Sequence, residues 1–536
     1  MHPSDFHASK PGHLVLALVA AATVGAAGCE PPETASPESG TADAGSDIGT
    51  VQFSTSCSEA VQPTLERGLL LLHHMMYAQA EETFVEAAEA EEDCAMAHWG
   101  VAMSRFQPFW GSSDVEAGRP AAERALELDP PTDRERLYAE AALAFHEEAD
   151  ASHMERVRSW EAAMEDLHES HPDDPEAAAL YALAHLSAGP DEPDRQERAI
   201  AILEELHDRM PRHPGAIHYA IHAHDVDGRG EDGVPYARAY SEVAPSIPHA
   251  LHMPSHIYVR TGDWDQVIDW NARSAEAALD HPAGEDLSLH YPHALDYLMY
   301  GYLQRGEDSA AAGVQEELRS RESYEPHMGS AYALAAIPAR WHVERADWEG
   351  AAEMEARVPS TFPWDDFPAA EAITHFARGL GAARSGDVER AQAAADRLAE
   401  LADATEAPDW TREIGIQRSA VLAWISLAEG RAEEAVERMR TAADEAAGME
   451  KNPITPGALR PAGELLGELL LEVDRPAEAL EAYETSLDTW PRRYHSLLGA
   501  ARAAEEAGQA ETAEGYRSEL AELTADADPE RRVEAP

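Results

Sequence analysis

Bases are scarce in this chain: 41 Lys and Arg stand against 101 Asp and Glu, giving a formal net charge of −60 over 536 residues. Phosphate backbones and anionic lipid surfaces repel such a protein, so nucleic acid is not expected as a partner. The acid excess itself reads as adaptation for solubility. Long apolar runs are lacking as well. Beyond the N-terminal segment nothing approaches about 18 uninterrupted apolar residues, which speaks against a retained membrane-spanning helix. Aromatic residues make up only 7% of the chain, cysteines number three, and no stretch alternates in the manner of a strand. Also missing are the P-loop, the dinucleotide fingerprint, the nucleophile elbow and the His-Glu-x-x-His pair of zinc proteases, so the sequence offers no support for nucleotide chemistry and names no catalytic residue.

The apolar run Leu14 to Ala27 follows Lys10 and ends in Ala26-Ala27-Gly28 before Cys29. It resembles a bacterial lipoprotein signal peptide with its lipobox, which implies removal of residues 1–28 and lipidation of Cys29. Glu30 in place of Asp implies the outer membrane, with the protein in the cell envelope, facing the periplasm and touching the bilayer only through its lipid. An ordinary secretory signal cleaved nearby is the alternative. Residues 29–56 are rich in Pro, Ser, Thr, Gly and acid and read as a disordered acidic tether. Residues 525–536 read as a disordered acidic tail. With Cys29 lipidated, Cys57 and Cys94 remain as an even pair, one before each of the first two repeats. A disulfide pinning the N-terminal cap is expected in such a compartment, two buried thiols being the alternative.

Between residues 57 and 524 the pattern is helical, with turns at regular intervals. Thr261-Gly262-Asp263-Trp264 is followed by Val267-Ile268, Arg345-Ala346-Asp347-Trp348 by Ala351-Ala352, and Ser385-Gly386-Asp387-Val388 by Ala391. Small Ala lets backbones approach while an aromatic fills the hole opposite. The segment from Met76 to Ala88, with Tyr77, Ala80, Phe84 and Ala87 at packing positions, resembles the second helix of a tetratricopeptide repeat (TPR) unit. Membership of that family implies an all-α, superhelical solenoid of antiparallel helix hairpins. Nine or ten hairpins are expected, with irregular spacing between Arg105 and Pro214. The string Pro248-His249-Ala250-Leu251-His252-Met253-Pro254-Ser255-His256-Ile257-Tyr258 further resembles a motif of a group of bacterial TPR lipoproteins. That resemblance implies the fold and no particular reaction.

Ten of the 26 histidines fall between His213 and His293. His218 and His222 recur one 34-residue period later as His252 and His256, so the two pairs should occupy equivalent places on neighbouring helices. By the TPR resemblance, His249, His252 and His256 face the concave groove, as do His218, His222 and Asp225 one unit earlier and His293, Asp296 and Tyr300 one unit later. Two functions follow, from different classes. The groove could hold a protein, peptide or small ligand through His249, Arg260, His293 and Tyr300, making the protein a lipid-anchored scaffold. Alternatively His218, His222, His252 and His256 form a site for a transition metal such as zinc, copper or iron, with Asp225, His249, His293 and Asp296 as additional ligands or supports behind them, since imidazoles and carboxylates converging from packed helices are suitable ligands. Pro254 should kink its helix and perturb His256. Glu464 and Glu468 read as a solvated acidic face.

Overall fold

The computed structural model describes residues 47–534 except 149, 190 and 191. The signal segment and Cys29 lie outside the described residues. Those residues are all-α apart from a two-residue antiparallel pairing of Phe106–Gln107 with Ser112–Ser113 and two isolated bridges, Ala283 with Asp286 and Leu287 with Tyr324. Helices follow one another as antiparallel hairpins, twelve among the described residues rather than nine or ten. Between Arg105 and Pro214, helices as long as His153–Ser170 and Pro193–Arg209 lengthen the period without breaking the hairpin order. No described helix is long and apolar enough to cross a membrane.

The turns work as their residues dictate. Gly262 and Gly306 end their helices in the left-handed region, at φ +68° and +70°, which a side chain would oppose. Asp347 and Asp387 then cap the following helices by accepting the backbone N–H of Gly350 at 3.0 Å and of Arg390 at 3.1 Å. Between hairpins an aromatic ring occupies the space left by two glycines. A Cβ on Gly100 would sit 2.2 Å from the Phe84 ring and one on Gly68 2.7 Å from it; Tyr483 stands the same way between Gly467 and Gly499. No room for a methyl exists at these contacts, so the glycines set the inter-helix distance.

The solenoid winds tightly enough to meet itself. The Trp264 indole donates to the Arg492 carbonyl at 2.9 Å, and His327 lies 3.0 Å from the Gln107 side chain. Two chain segments fill the interior where an open groove was expected. One is the turn carrying Phe109 and Trp110; the other connects helices Ala432–Ala447 and Ala462–Glu472 and carries Lys451, Pro453 and Ile454.

Both expected disordered segments are packed in their described parts. In the 29–56 tether, Ile48 and Phe53 are buried, Phe53 lying 5.2 Å from the Trp99 ring, and Thr50 donates its N–H to the Arg212 carbonyl at 3.0 Å. At the other end the Asp528 N–H meets the Gly306 carbonyl at 3.0 Å, and the Arg531 guanidinium lies 4.2 Å from the centre of the Tyr494 ring. These few apolar and cationic residues had been outweighed by the composition around them. Cys57 and Cys94 form a disulfide, with Cα atoms 5.2 Å apart.

Candidate functional site

Three inner helical stretches supply the histidines. Helix Pro214–His224 brings His218 and His222, the pair Pro248–His252 and Pro254–Thr261 brings His249, His252 and His256, and helix His290–Arg305 brings His290 and His293. Pro254 removes one backbone donor, but Met253 keeps helical dihedrals and the two short helices stay in line. His249, His252 and His256 therefore share a face, three and four residues apart. Two triads result, His218–His222–His249 and His252–His256–His293, in each of which one ligand atom per residue lies within 4.8 Å of the others. The triads adjoin. The rings of His222 and His256 are 5.6 Å apart and those of His249 and His252 5.9 Å apart.

Hydrogen bonds at the outer nitrogens fix how these rings present their inner ones. His218 Nδ1 donates to the His73 carbonyl at 2.7 Å and His256 Nδ1 to an Asp225 carboxylate oxygen at 2.7 Å. His252 Nδ1 lies 2.7 Å from Asn271 Oδ1, whose amide is oriented by donating its NH₂ to the Val267 carbonyl at 2.7 Å. Each partner can only accept, so each ring is protonated at Nδ1 and carries its lone pair on Nε2. Outer acceptors of this kind orient metal-bound imidazoles. The consequence is sharpest at His252 and His256, whose Nε2 atoms face each other at 2.9 Å. Two lone pairs at that distance repel unless a proton or a cation lies between them.

Burial opposes the proton. It lowers the pKa of His218, His249, His252 and His293 well below the ordinary imidazole value and that of His222 to about 3, and neighbouring imidazoles lower each of these five further. At His256 burial again lowers the value, against the pull of Asp225. The histidines are thus held neutral, the form that ligates metals. Two further buried nitrogens of one triad, His218 Nε2 and His222 Nε2, have no hydrogen-bond partner, nor does either nitrogen of His249. Buried polar atoms left so are rare in folded proteins. The space between His222, His249, His256, His293, Trp110 and Ile454 is a cavity of about 10 Å³, enough for one water-sized species.

Of four residues proposed from sequence as ligands, supports or groove contacts, Asp225 backs the imidazoles and three are taken up elsewhere. Asp225 accepts from His256, Arg260 and Lys451, the last at 2.5 Å, so it stands behind the imidazoles rather than among them. Burial alone would raise its carboxyl pKa; Lys451 and Arg260 outweigh that and hold it below the carboxylate range. Arg260 is buried between Asp225, Asp227 and Glu450 and presents no free face to a ligand. Asp296 pairs with Arg340 at 2.8 Å, and the Tyr300 hydroxyl accepts from Arg493. Glu464, expected on a solvated face, is fully buried and bonded to Arg493 and Arg460. His249 and His293, read both as groove residues and as additional ligands or supports of a metal site, sit inside the triads.

Three residues at the site were not singled out by the sequence pattern. Phe109 stacks on His222 with ring centres 4.5 Å apart, Trp110 lies 4.7 Å from the His327 ring, and Tyr297 packs its ring 4.5 Å from His252. Tyr297 alone had a cue, standing four residues after His293 on the same helix. A third group, His73, Glu176 and His213, lies nearby, but its atoms are bonded to one another and to Tyr219 and Gln52, making it a structural support under the His218 hydrogen bond.

No family model matches the chain, and no curated protein matches it. Among solved structures it is similar to the APC/C hetero-tetramer Cut9–Hcn1, at 13% identity over 83% of this chain and 76% of that one, with a TM-score of 0.35. It is also similar to the human IFIT1 dimer with m7Gppp-AAAA, at 12% identity over 89% and 92% of the two chains, with a TM-score of 0.38.

Proposed function

We propose that this protein binds two transition-metal ions side by side, one in each histidine triad. The observation that carries the reading is the 2.9 Å approach of His252 Nε2 and His256 Nε2, both stripped of their protons by outer acceptors. A tetrahedral ion about 2.0–2.1 Å from two imidazoles sets their nitrogens about 3.3 Å apart, close to the spacing seen. Neither triad contains a carboxylate or thiolate, which favours copper or zinc over iron. Asp225, Asn271 and the His73 carbonyl would hold the ligating rings, and the cavity between the triads, about 10 Å³, leaves room for no more than one water-sized ligand shared by the two ions. The lipobox-like segment before Cys29 supports placement in the cell envelope on a lipid anchor, and the net charge of −60 speaks against nucleic acid as a partner. Helical repeats also suit a scaffold for a protein or peptide partner. Since the inner trough is filled by the protein's own chain, that role belongs to its outer faces.

Elemental analysis of protein produced with copper or zinc supplied tests the reading. About two equivalents of metal are expected, falling to about one in the His252→Ala, His256→Ala double variant; less than about a tenth of an equivalent in the parent protein overturns it.

A further inference from the structure

Both triads are closed off from solvent, so an ion needs a way in. The described residues contain a second cavity, of about 260 Å³, whose rim carries the exposed residues Ala78, Ser113 and Asp114. Deep in its lining stand Ser288 and His290, only 3% and 6% exposed, and neither Ser288 Oγ nor His290 Nδ1 has a hydrogen-bond partner. Such orphaned atoms facing a cavity are what an incoming ligand would satisfy. His290 was not singled out by its sequence pattern.

Behind His290 the unpaired nitrogens continue. Its ring is 5.2 Å from that of His249, which has no partner at either nitrogen and lies 5.0 Å from His218 in one triad and 5.9 Å from His252 in the other. Trp110 stands beside this step, 6.1 Å from His290 and 5.7 Å from His249. Charge at the cavity suits a cation: Glu81, Asp114 and Glu325 line it against one base, Arg105, which pairs with Glu81 and Asp114. An acid-lined mouth in a protein of strongly negative charge concentrates cations and speeds their arrival.

We propose that this cavity is the entry port for the metal, with His290 as the first imidazole to replace a water of the hydrated cation and His249 as the relay from which either triad is filled. The port rests on reading the triads as a metal site. Its chemistry is that of a divalent transition-metal cation shedding water stepwise onto neutral nitrogen donors; no bond of the protein is made or broken.

Stopped-flow mixing of the metal-free protein with Co²⁺ alone, followed by visible ligand-field absorption, separates the two claims. Ala78→Trp narrows the rim at an exposed position that the fold does not depend on, His290→Ala removes the first donor, and Ala393→Trp, on the distant helix Val388–Ala404, is the control. Uptake should slow at least about tenfold in Ala78→Trp and His290→Ala, with the final absorbance kept and the control unchanged. Rates within about twofold of the parent in both port variants, at full amplitude, overturn the port and leave the metal site standing. Absence of any Co²⁺ absorption in the parent overturns the site and the port together.

Discussion

Asn271 offers a direct test of whether the outer hydrogen bonds set the metal affinity. Its side chain is fully buried, accepts from His252 Nδ1 at 2.7 Å and is held in that orientation by the Val267 carbonyl. Replacement by Leu keeps the branched outline of the side chain, at some gain in volume, and removes the acceptor. His252 is then free to carry its proton on Nε2, the atom that faces His256, and a ligand is lost for the fraction of molecules that do so. Loss of an outer partner of this type lowers metal affinity by about 10- to 100-fold, or about 1.4–2.7 kcal/mol. The Asn271→Asp change would supply a stronger acceptor, and that variant should bind at least as tightly as the parent. Because the change touches only the His252–His256–His293 triad, a chelator-competition titration should show one of two metal equivalents weakened and the other unmoved. The thermal midpoint of the metal-free proteins, measured alongside, separates lost affinity from lost folding. An Asn271→Leu protein that binds both equivalents within about twofold of the parent would refute the argument.

Two further outcomes follow from buried charge. Arg493 is fully buried and bonded to Glu344 at 2.6 Å, Glu464 at 3.0 Å and the Tyr300 hydroxyl; since Glu464 keeps Arg460, Arg493→Met strands Glu344 and should cost about 3–5 kcal/mol in denaturant unfolding, with Glu344→Gln recovering part of it; a cost below about 1 kcal/mol would contradict the pairing. Burial pushes the Glu413 carboxyl up to about 7, against the opposing pull of Arg340 and a hydrogen bond from Gln417. A carboxyl raised in the folded state costs nothing below the unfolded value near 4.5, costs progressively more between 4.5 and 7, and bears its full penalty above that. Glu413→Gln should therefore gain about 1–3 kcal/mol on the parent between pH 4 and pH 8, and a difference in thermal midpoint that does not change with pH would exclude the burial account.

Local patterns reach a certain distance and stop. A 34-residue recurrence places His218 and His222 over His252 and His256 because each hairpin repeats the one before it, so register along the chain becomes adjacency in space. Helix type, the glycine-and-aspartate turns and the pairing of aromatics with small residues are short-range in the same sense. Residues without a period, such as Asn271, Lys451 and Trp110, escape such counting, and so does the tether residue Phe53 amid its polar neighbours.

Chain sequence alone thus determined a helical solenoid with its imidazoles on one inward wall, since both depend on spacing within a few turns of helix. Tertiary structure decided which inward residues could be ligands. Lys451 reaches Asp225 across 226 residues and Arg493 reaches Tyr300 across 193, and those distant cations occupy the very groups that spacing had offered to a metal or a peptide. How tightly the superhelix closes fixes those meetings, and that curvature is the sum of small packing angles over every hairpin, which no single repeat encodes.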